Sequence, residues 1–300
     1  SAQHRGEMPL FGQDLSGSLS RRVAIIGPGL IGGSLALALS RPGQPWQVSV
    51  WARREEAALE AAALLPFCRV SRDLPTVLAD CDIAVLCMSP QAIQHCGGDL
   101  KKHLPATATI TDAGSVKANI VDALESTFGG RFIGAHPMAG SEQSGIRAAR
   151  ADLFEGAACI LTPTARSEAQ PLQNTRELWM ATGCQLREMS PHDHDRAIAR
   201  VSHLPHAAAS CLVHAAIARD PSLSDLAGPG YRDSTRVAGG PEGMWTEILF
   251  DNRHEVVEGI HDLQNTLETL KLALEQGDRQ GVEAILADAR KLRSKHPITK

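Results

Sequence analysis

The chain has 300 residues, of which 43 % are apolar and 21 % charged, with a formal net charge of −4. That length gives one large domain or two ordinary ones with a real core, and the composition is that of an ordinary globular chain. The mild negative charge excludes the basic field that nucleic acid requires, the 4 % of aromatic residues argues against a base-stacking platform, and no apolar run reaches the roughly 18 residues that span a bilayer.

Residues 1–20 mix His4, Arg5, Glu7 and Asp14 with Gly and Ser and lack the apolar stretch of a signal peptide. They are expected to form a flexible tail on a cytoplasmic protein. The first strong pattern follows in "RRVAIIGPGLIGGSLALALS". Val23–Ile26 is a short β-branched run, Gly27, Gly29 and Gly32 keep G-x-G-x-x-G spacing, and Leu35–Leu39 reads as helix. Strand, glycine turn and helix in this order let the backbone approach a pyrophosphate seated on the helix N-terminus. Gly27, Gly29, Leu30, Ile31 and Gly32 are therefore assigned to a dinucleotide. The alternative is a glycine-rich loop of some other α/β domain.

Strand and helix patterns then alternate. Strands are predicted at 47–52, 82–88 and 108–113, with helices over 54–65 and 116–126. The runs "FIGAH", "ACILTP" and "QLREM" complete the strand set. Such alternation implies a doubly wound parallel sheet, whose ligands lie at the carboxyl ends of the strands. Ser89, just past the 82–88 strand, joins the cofactor set, and His136 is aimed at the same crevice.

The residue closing the second strand reads the adenosine ribose. An acid there binds the 2′-hydroxyl, whereas a nearby arginine accepts a 2′-phosphate. Here Ala52 holds that position and Arg53 and Arg54 follow, which favours NADP, with NAD as the alternative. On that alternative both arginines are solvated charges paired with Glu55 and Glu56.

After about Ser190 no strand pattern returns. The segment "SPHDHDRAIARVSHLPH" gathers His192, His194, Asp195, His203 and His206, and Pro205 suggests a helix start. Without H-E-x-x-H or a cysteine at ligand spacing, no metal site is expected, and these read as satisfied histidines at a domain boundary. Val256, Ile260, Leu263, Leu267, Leu270 and Leu274 form an a/d seam, followed by a second helix with Val282, Ile285, Leu286, Ala289 and Leu292 on one face. The pattern alone fits a dimer interface and packing within one domain equally. The seven cysteines are odd in number and form no C-x-x-C pair, so they read as buried thiols in a reducing compartment.

Taken together, "GPGLIGGS", "DAGSVK", "GAHPMAGSE", "SHLPH" and "YRDSTRVA…MW" resemble, in order and separation, the prephenate and arogenate dehydrogenases of tyrosine biosynthesis. The resemblance runs from Arg22 to the chain's end. It implies an α/β protein with an N-terminal Rossmann doubly wound parallel sheet (21–189) and a C-terminal all-helical substrate-binding and dimerisation domain (190–300). A homodimer through the C-terminal helices is expected.

The resemblance also implies roles. His136 takes the proton of the substrate's ring hydroxyl as hydride leaves that carbon, work that suits a neutral imidazole. Ser115 binds the same hydroxyl and the nicotinamide, although it also reads as a helix N-cap. Arg236 clamps a carboxylate, Ser141 and Glu142 line the pocket, and His206 binds or gates substrate. Trp245 lies near the mouth. Glu142 and Asp195 orient Arg236, with Asp195 supplied by the partner subunit. Gln143 and Ser144 offer no extra acid for an ammonium, which leans to prephenate over arogenate. Many members carry Asp where this chain has Ala52. The chain stops soon after the helices, so any tyrosine feedback is expected at or near the active site. The rival readings are another Rossmann-plus-helical oxidoreductase and an NADP-sensing regulator without chemistry.

Overall fold

The structure, a computed structural model, describes residues 20–140 and 143–295. The expected tail therefore lies, but for Ser20, outside the described residues. Strands β1 (Arg21–Ile26), β2 (Trp46–Trp51) and β3 (Arg69–Ser71) are separated by helices α1 (Leu30–Leu39) and α2 (Glu55–Leu64). Helix α3 (Leu74–Leu78) leads to β4 (Ile83–Leu86), and α4 (Pro90–His95) and α5 (Gly97–Lys101) lead to β5 (Thr109–Asp112). Then come α6 (Ala118–Phe128), β6 (Phe132–Pro137), β7 (Ala158–Thr162), α7 (Ala169–Ala181) and β8 (Gln185–Glu188).

One sheet results, in the order β3-β2-β1-β4-β5-β6-β7-β8. From β3 through β6 every pairing is parallel, which is the doubly wound arrangement. Val23, Ile25, Ile83 and Val85 pack on one face of the sheet, Ala24, Ile26, Ala84 and Leu86 on the other. Both faces are covered, so these strands are continuously apolar instead of alternating. Two features depart from the sequence reading. The three-residue β3 is too short to show a pattern. β7 runs antiparallel to β6, with His136 opposite Ile160, so the sheet is mixed. A parallel return needs a crossover helix. The 138–157 connection carries none among its described residues, only a 3₁₀ turn at Ile146–Ala148, and turns straight back.

The rest of the chain is helical: α8 (Pro191–Ile198), α9 (Leu204–Ile217), α10 (Pro229–Thr235), α11 (Glu242–Asp251), α12 (Arg253–Glu275) and α13 (Arg279–Lys295). Pro205 sits in the first turn of α9, as its helix-start signal predicts. A π-helical turn, Ala199–His203, joins α8 to α9 without a break. A proline ring crowds the carbonyl four residues back, here Val201, and the wider turn gives it room. The cysteines are less uniform than expected: Cys81, Cys159 and Cys184 are buried, but Cys211 is exposed.

One buried ion pair fixes the part of the sheet that carries the site. The Lys117 ammonium bonds the Asp112 carboxylate, and both side chains have no solvent exposure. Lys117 Nζ also donates to the Ala135 carbonyl at 2.7 Å. Asp112 accepts from the backbone N–H of Ala135 at 3.0 Å and of Gly114 at 2.8 Å. The end of β5, the approach to α6 and the residue before His136 are thereby tied together. Removing one partner strands a buried charge, so Lys117→Met should destabilise the fold by about 3–5 kcal/mol. Urea unfolding checks this; a loss below about 1 kcal/mol would show that the pair is dispensable.

Candidate active site

Gly27 has φ +108°, and a Cβ there would lie 2.5 Å from the Cys87 carbonyl oxygen; at Gly32 it would lie 2.0 Å from the Gly27 oxygen. Only glycine fits either position. Gly29, with open space around it, precedes the first turn of α1, and Leu30 and Ile31 begin the helix. Their N–H groups have no partner within the helix, and no acidic side chain occupies that turn. The turn is therefore shaped for a pyrophosphate, and the residues present fit a dinucleotide.

At the end of β2, Ala52 is fully buried, while Arg53 and Arg54 are exposed. Glu55 pairs with Arg72 at 3.5 Å. Neither Arg53 nor Arg54 forms an ion pair with a described residue, so the expected alternative pairing with Glu55 and Glu56 is not what forms.

A cavity of about 620 Å³ opens between the carboxyl ends of the strands and the helical region. Gly29, Leu30, Ile31 and Ser89 line its nucleotide side; Ser115 and His136 form its wall; Ser202, His203, Arg236 and Trp245 face them. Arg236 sits in the 3₁₀ turn Arg236–Gly239 directly after α10. His206 does not line this cavity. It stacks flat behind Trp245, with ring centroids 3.5 Å apart at 10°. Ser141 and Glu142 lie outside the described residues. No group of three or more His, Cys, Asp or Glu among the described residues could hold a metal.

His136 sits near the end of β6 and is 8 % exposed. Its Nδ1 lies 2.8 Å from Nε2 of His194 on α8. The other ring nitrogen of His194, Nδ1, lies 2.8 Å from Asp195 Oδ1. Asp195 in turn accepts the backbone N–H of Lys117 at 2.7 Å and of Ala118 at 2.9 Å. These are donors that the start of α6 leaves unpaired.

That geometry corrects one expectation and adds one contact. Asp195 caps α6 of its own chain, and its described contacts are Lys117, Ala118, His194 and Asn252. Ser115 is not the N-cap, because Lys117 holds that position and the Asp195 carboxylate meets the helix donors. Ser115 instead faces the cavity.

Burial pushes the pKa of His136 well below its ordinary value, helped by neighbouring His194, Lys117 and His203. Burial also lowers His194, although Asp195 opposes it. For Asp195 burial acts upward, but the hydrogen bonds from His194 and the α6 backbone outweigh it and hold the carboxyl below the usual range. Burial takes His203 down to about 4. Its Nδ1 accepts from Asn252 Nδ2 at 3.2 Å, and the same amide donates to the Asp195 carbonyl at 2.7 Å. The site therefore holds a neutral imidazole on the cavity wall, backed by a chain that ends in a buried carboxylate. Sequence reasoning treated His194 and His203 as structural. The adjacent His194-Asp195 pair was the available signal, but only the packing of α8 against β6 reveals its target.

Residues 35–188 match the prephenate dehydrogenase nucleotide-binding domain family, and residues 190–288 match the prephenate dehydrogenase dimerization domain family. The chain is 30 % identical over 288 residues to a prephenate dehydrogenase of Bacillus subtilis, covering 92 % of this chain and 76 % of that one. It is 30 % identical over 264 residues to a cyclohexadienyl dehydrogenase of Zymomonas mobilis, covering 86 % and 90 %. The crystal structure of Aquifex aeolicus prephenate dehydrogenase in complex with hydroxyphenyl propionate and NAD+ superposes with a TM-score of 0.86 at 31 % identity, covering 92 % of this chain and 98 % of that one.

The buried neutral histidines set a pH dependence of stability. A lowered folded-state pKa means that the unfolded chain binds more protons below its own value of about 6.5. Stability should therefore be greatest above about pH 6.5 and fall as the pH drops, by about 1.4 kcal/mol per pH unit for each such histidine. For His203 the loss ends near pH 4. Thermal unfolding between pH 7.5 and 5 measures this; a flat profile would mean that these rings are not held neutral.

Proposed function

The chain belongs to the prephenate dehydrogenase family, and we propose that it oxidises and decarboxylates prephenate to 4-hydroxyphenylpyruvate in tyrosine biosynthesis, with NADP as hydride acceptor. The observation that carries this reading is His136: a neutral imidazole on the wall of a cavity whose other end is the glycine turn.

The nicotinamide, when bound, takes hydride from the ring carbinol carbon. The chain's own residues do the rest. With His136 Nδ1 committed to His194, Nε2 is the nitrogen available to the ring hydroxyl. It accepts that proton as the carbinol carbon becomes carbonyl-like. The ring carboxylate then leaves as carbon dioxide, its bonding pair flows into the ring, and the ring becomes aromatic. The oxygen, now phenolate, takes the proton back from His136. Ser115, which lines the same cavity as His136, is the residue we assign to hold that oxygen and the nicotinamide. Arg236, across the cavity, suits a carboxylate through its planar fork of donors. Trp245 closes that side, and His206, stacked behind it, supports the wall. The residues align reactants and move one proton, which is most of what this reaction asks of a protein.

The substrate preference rests on charge. Gln143 and Ser144, which line the cavity, are not acidic, and we assign Glu142 to Arg236, which leaves no spare acid for an ammonium side chain. That favours the keto substrate, prephenate, over arogenate. The cofactor preference rests on Ala52 standing where an acid would repel a 2′-phosphate, with Arg53 and Arg54 next to it, neither in an ion pair with a described residue. The working form is a homodimer. On α12 and α13, Leu267, Leu274, Leu286 and Leu292 are 55 %, 62 %, 59 % and 56 % exposed in one copy, so the a/d seam awaits a partner surface. We place the domain boundary at 189–190, the Ser141–Glu142 loop at the substrate, and the protein in the cytoplasm. Among the described residues no helix is long and apolar enough to cross a membrane.

Purified protein with prephenate or arogenate, each with NADP or NAD, should reduce cofactor fastest with prephenate and NADP, followed by absorbance. Silence in all four mixtures would discard the reading. His136→Asn should lower kcat by about 10²–10⁴-fold with little change in KM; unchanged turnover would remove His136 as the base. Replacing Arg53 and Arg54 together by Ala should raise KM for NADP at least about tenfold and leave NAD unaffected. Equal effects on both cofactors would refute the phosphate assignment.

A further inference from the structure

We propose that His194 is a positioning residue that fixes the tautomer of His136 and stabilises the proton His136 takes, by transmitting to it the negative charge of Asp195. The proposal deepens the reading of His136 as the base and rests on it.

The proton positions follow by elimination. An ionised carboxylate only accepts, and Asp195 already accepts the Lys117 and Ala118 N–H groups. His194 Nδ1, 2.8 Å from Asp195 Oδ1, must therefore carry a proton and donate it. A neutral imidazole carries only one, so His194 Nε2 is a bare lone pair. His136 Nδ1 lies 2.8 Å from that lone pair and must donate to it. His136 Nε2 is left bare, which is the state a base needs. The opposite order would set a lone pair against a carboxylate oxygen at one end and block Nε2 at the other. The α6 N-terminus thus anchors one orientation for the whole chain of protons.

No other titratable group near His136 can do this. Lys117, from α6, is committed to Asp112 and the Ala135 carbonyl. Asp112, from β5, is spent on Lys117, Gly114 and Ala135. His203, from the π turn, is held by Asn252. His194 has no exposed side-chain surface and is absent from the cavity lining, so it acts through His136 alone.

During turnover the O–H bond of the substrate breaks and an N–H bond forms at His136 Nε2. The imidazolium then donates from Nδ1 to His194, whose own Nδ1–H points at Asp195. The new positive charge therefore faces a buried anion through one polarisable ring. When the phenolate reclaims the proton, every bond returns to its starting state.

The test begins without substrate. In the full chain labelled with ¹⁵N-histidine, long-range ¹H–¹⁵N correlations near neutral pH should show His136 protonated on Nδ1 and bare on Nε2, with His136→Asn assigning the signal. Asp195 Oδ1 accepts both the Lys117 N–H and the His194 Nδ1–H, so an Asn oxygen in its place keeps the tautomers and removes only the charge. Asp195→Asn should therefore lower kcat about tenfold or more and move the acid limb of the pH–rate profile to lower pH. A wild-type His136 protonated on Nε2, or an Asp195→Asn chain that folds and keeps the wild-type kcat and acid limb, would overturn the proposal.

Asp195 also caps α6, so His194→Gln serves if Asp195→Asn does not fold. The glutamine oxygen can accept from His136 Nδ1 but cannot pass on the Asp195 charge. Its kcat should fall about tenfold or more with substrate KM within about twofold. The acid limb of its pH–rate profile should move to lower pH, because the imidazolium has lost its backing. A limb that stays in place, with only a lower Tm, would show a structural residue and defeat the proposal. Should the wild type reduce neither cofactor, the dehydrogenase reading fails while the tautomer measurement still decides the chain of protons.

Discussion

The site depends on the buried contact between Lys117 and Asp112. Lys117 acts twice. Its ammonium joins Asp112 to the Ala135 carbonyl, and its backbone N–H meets Asp195. Through one residue, the end of β5, the start of α6, the end of β6 and the first helix of the C-terminal region are held in one frame. Taking both charges out of water is costly, and attraction alone would not offset it. Here the remaining oxygen and hydrogen-bonding positions are filled by backbone groups of Gly114 and Ala135. The pair is therefore better understood as a locator than as a source of net stability. It puts His136 and Ser115 on the same wall.

The helical region is keyed to that frame by polar contacts. Asn252 bonds both the Asp195 carbonyl and His203. Gln94 of α4 donates to Asp251 at 2.7 Å, and Asn119 of α6 donates to the Asp251 carbonyl at 3.3 Å. These bonds hold α11 and the start of α12 over the carboxyl ends of the strands. Trp245 and Arg236 thus face His136 across the cavity instead of standing off in a separate body. On α12 and α13, Leu267, Leu274, Leu286 and Leu292 remain exposed.

What the sequence made legible was local. The glycine turn could be read because the constraints on Gly27 and Gly32 are a positive φ and a contact five residues away. The six parallel strands could be read, β3 excepted, because full burial leaves continuous apolar runs. The direction of β7 could not, since it depends on the path of the 138–157 loop and not on the composition of the strand. Pro205 signalled the start of α9 correctly, but not that a π turn would join α9 to α8; a proline gives the constraint but not which of several relaxations precedes it. The contacts of Asp195 could not be read either. Its partners at Lys117 and Ala118 lie almost eighty residues earlier, and nothing in its neighbours names them. His194 was missed for the same reason: its sequence neighbour is informative only once α8 is laid against β6.

For the base proposed at His136, dryness and basicity pull against each other. Burial keeps the ring neutral and free to accept a proton. The same burial makes the protonated ring expensive, and a base that cannot hold a proton is of no use. A carboxylate placed directly against His136 would solve the second problem and spoil the first, because it would charge the ring at rest. Setting His194 between them separates the two demands. At rest the carboxylate's charge is met mainly by the α6 backbone and by His194 Nδ1. When His136 becomes positive, the intervening ring lets it feel that charge without ever contacting it. On the proposed mechanism, the spacing of one imidazole, and not the strength of any single bond, is what makes a buried histidine serviceable as a base.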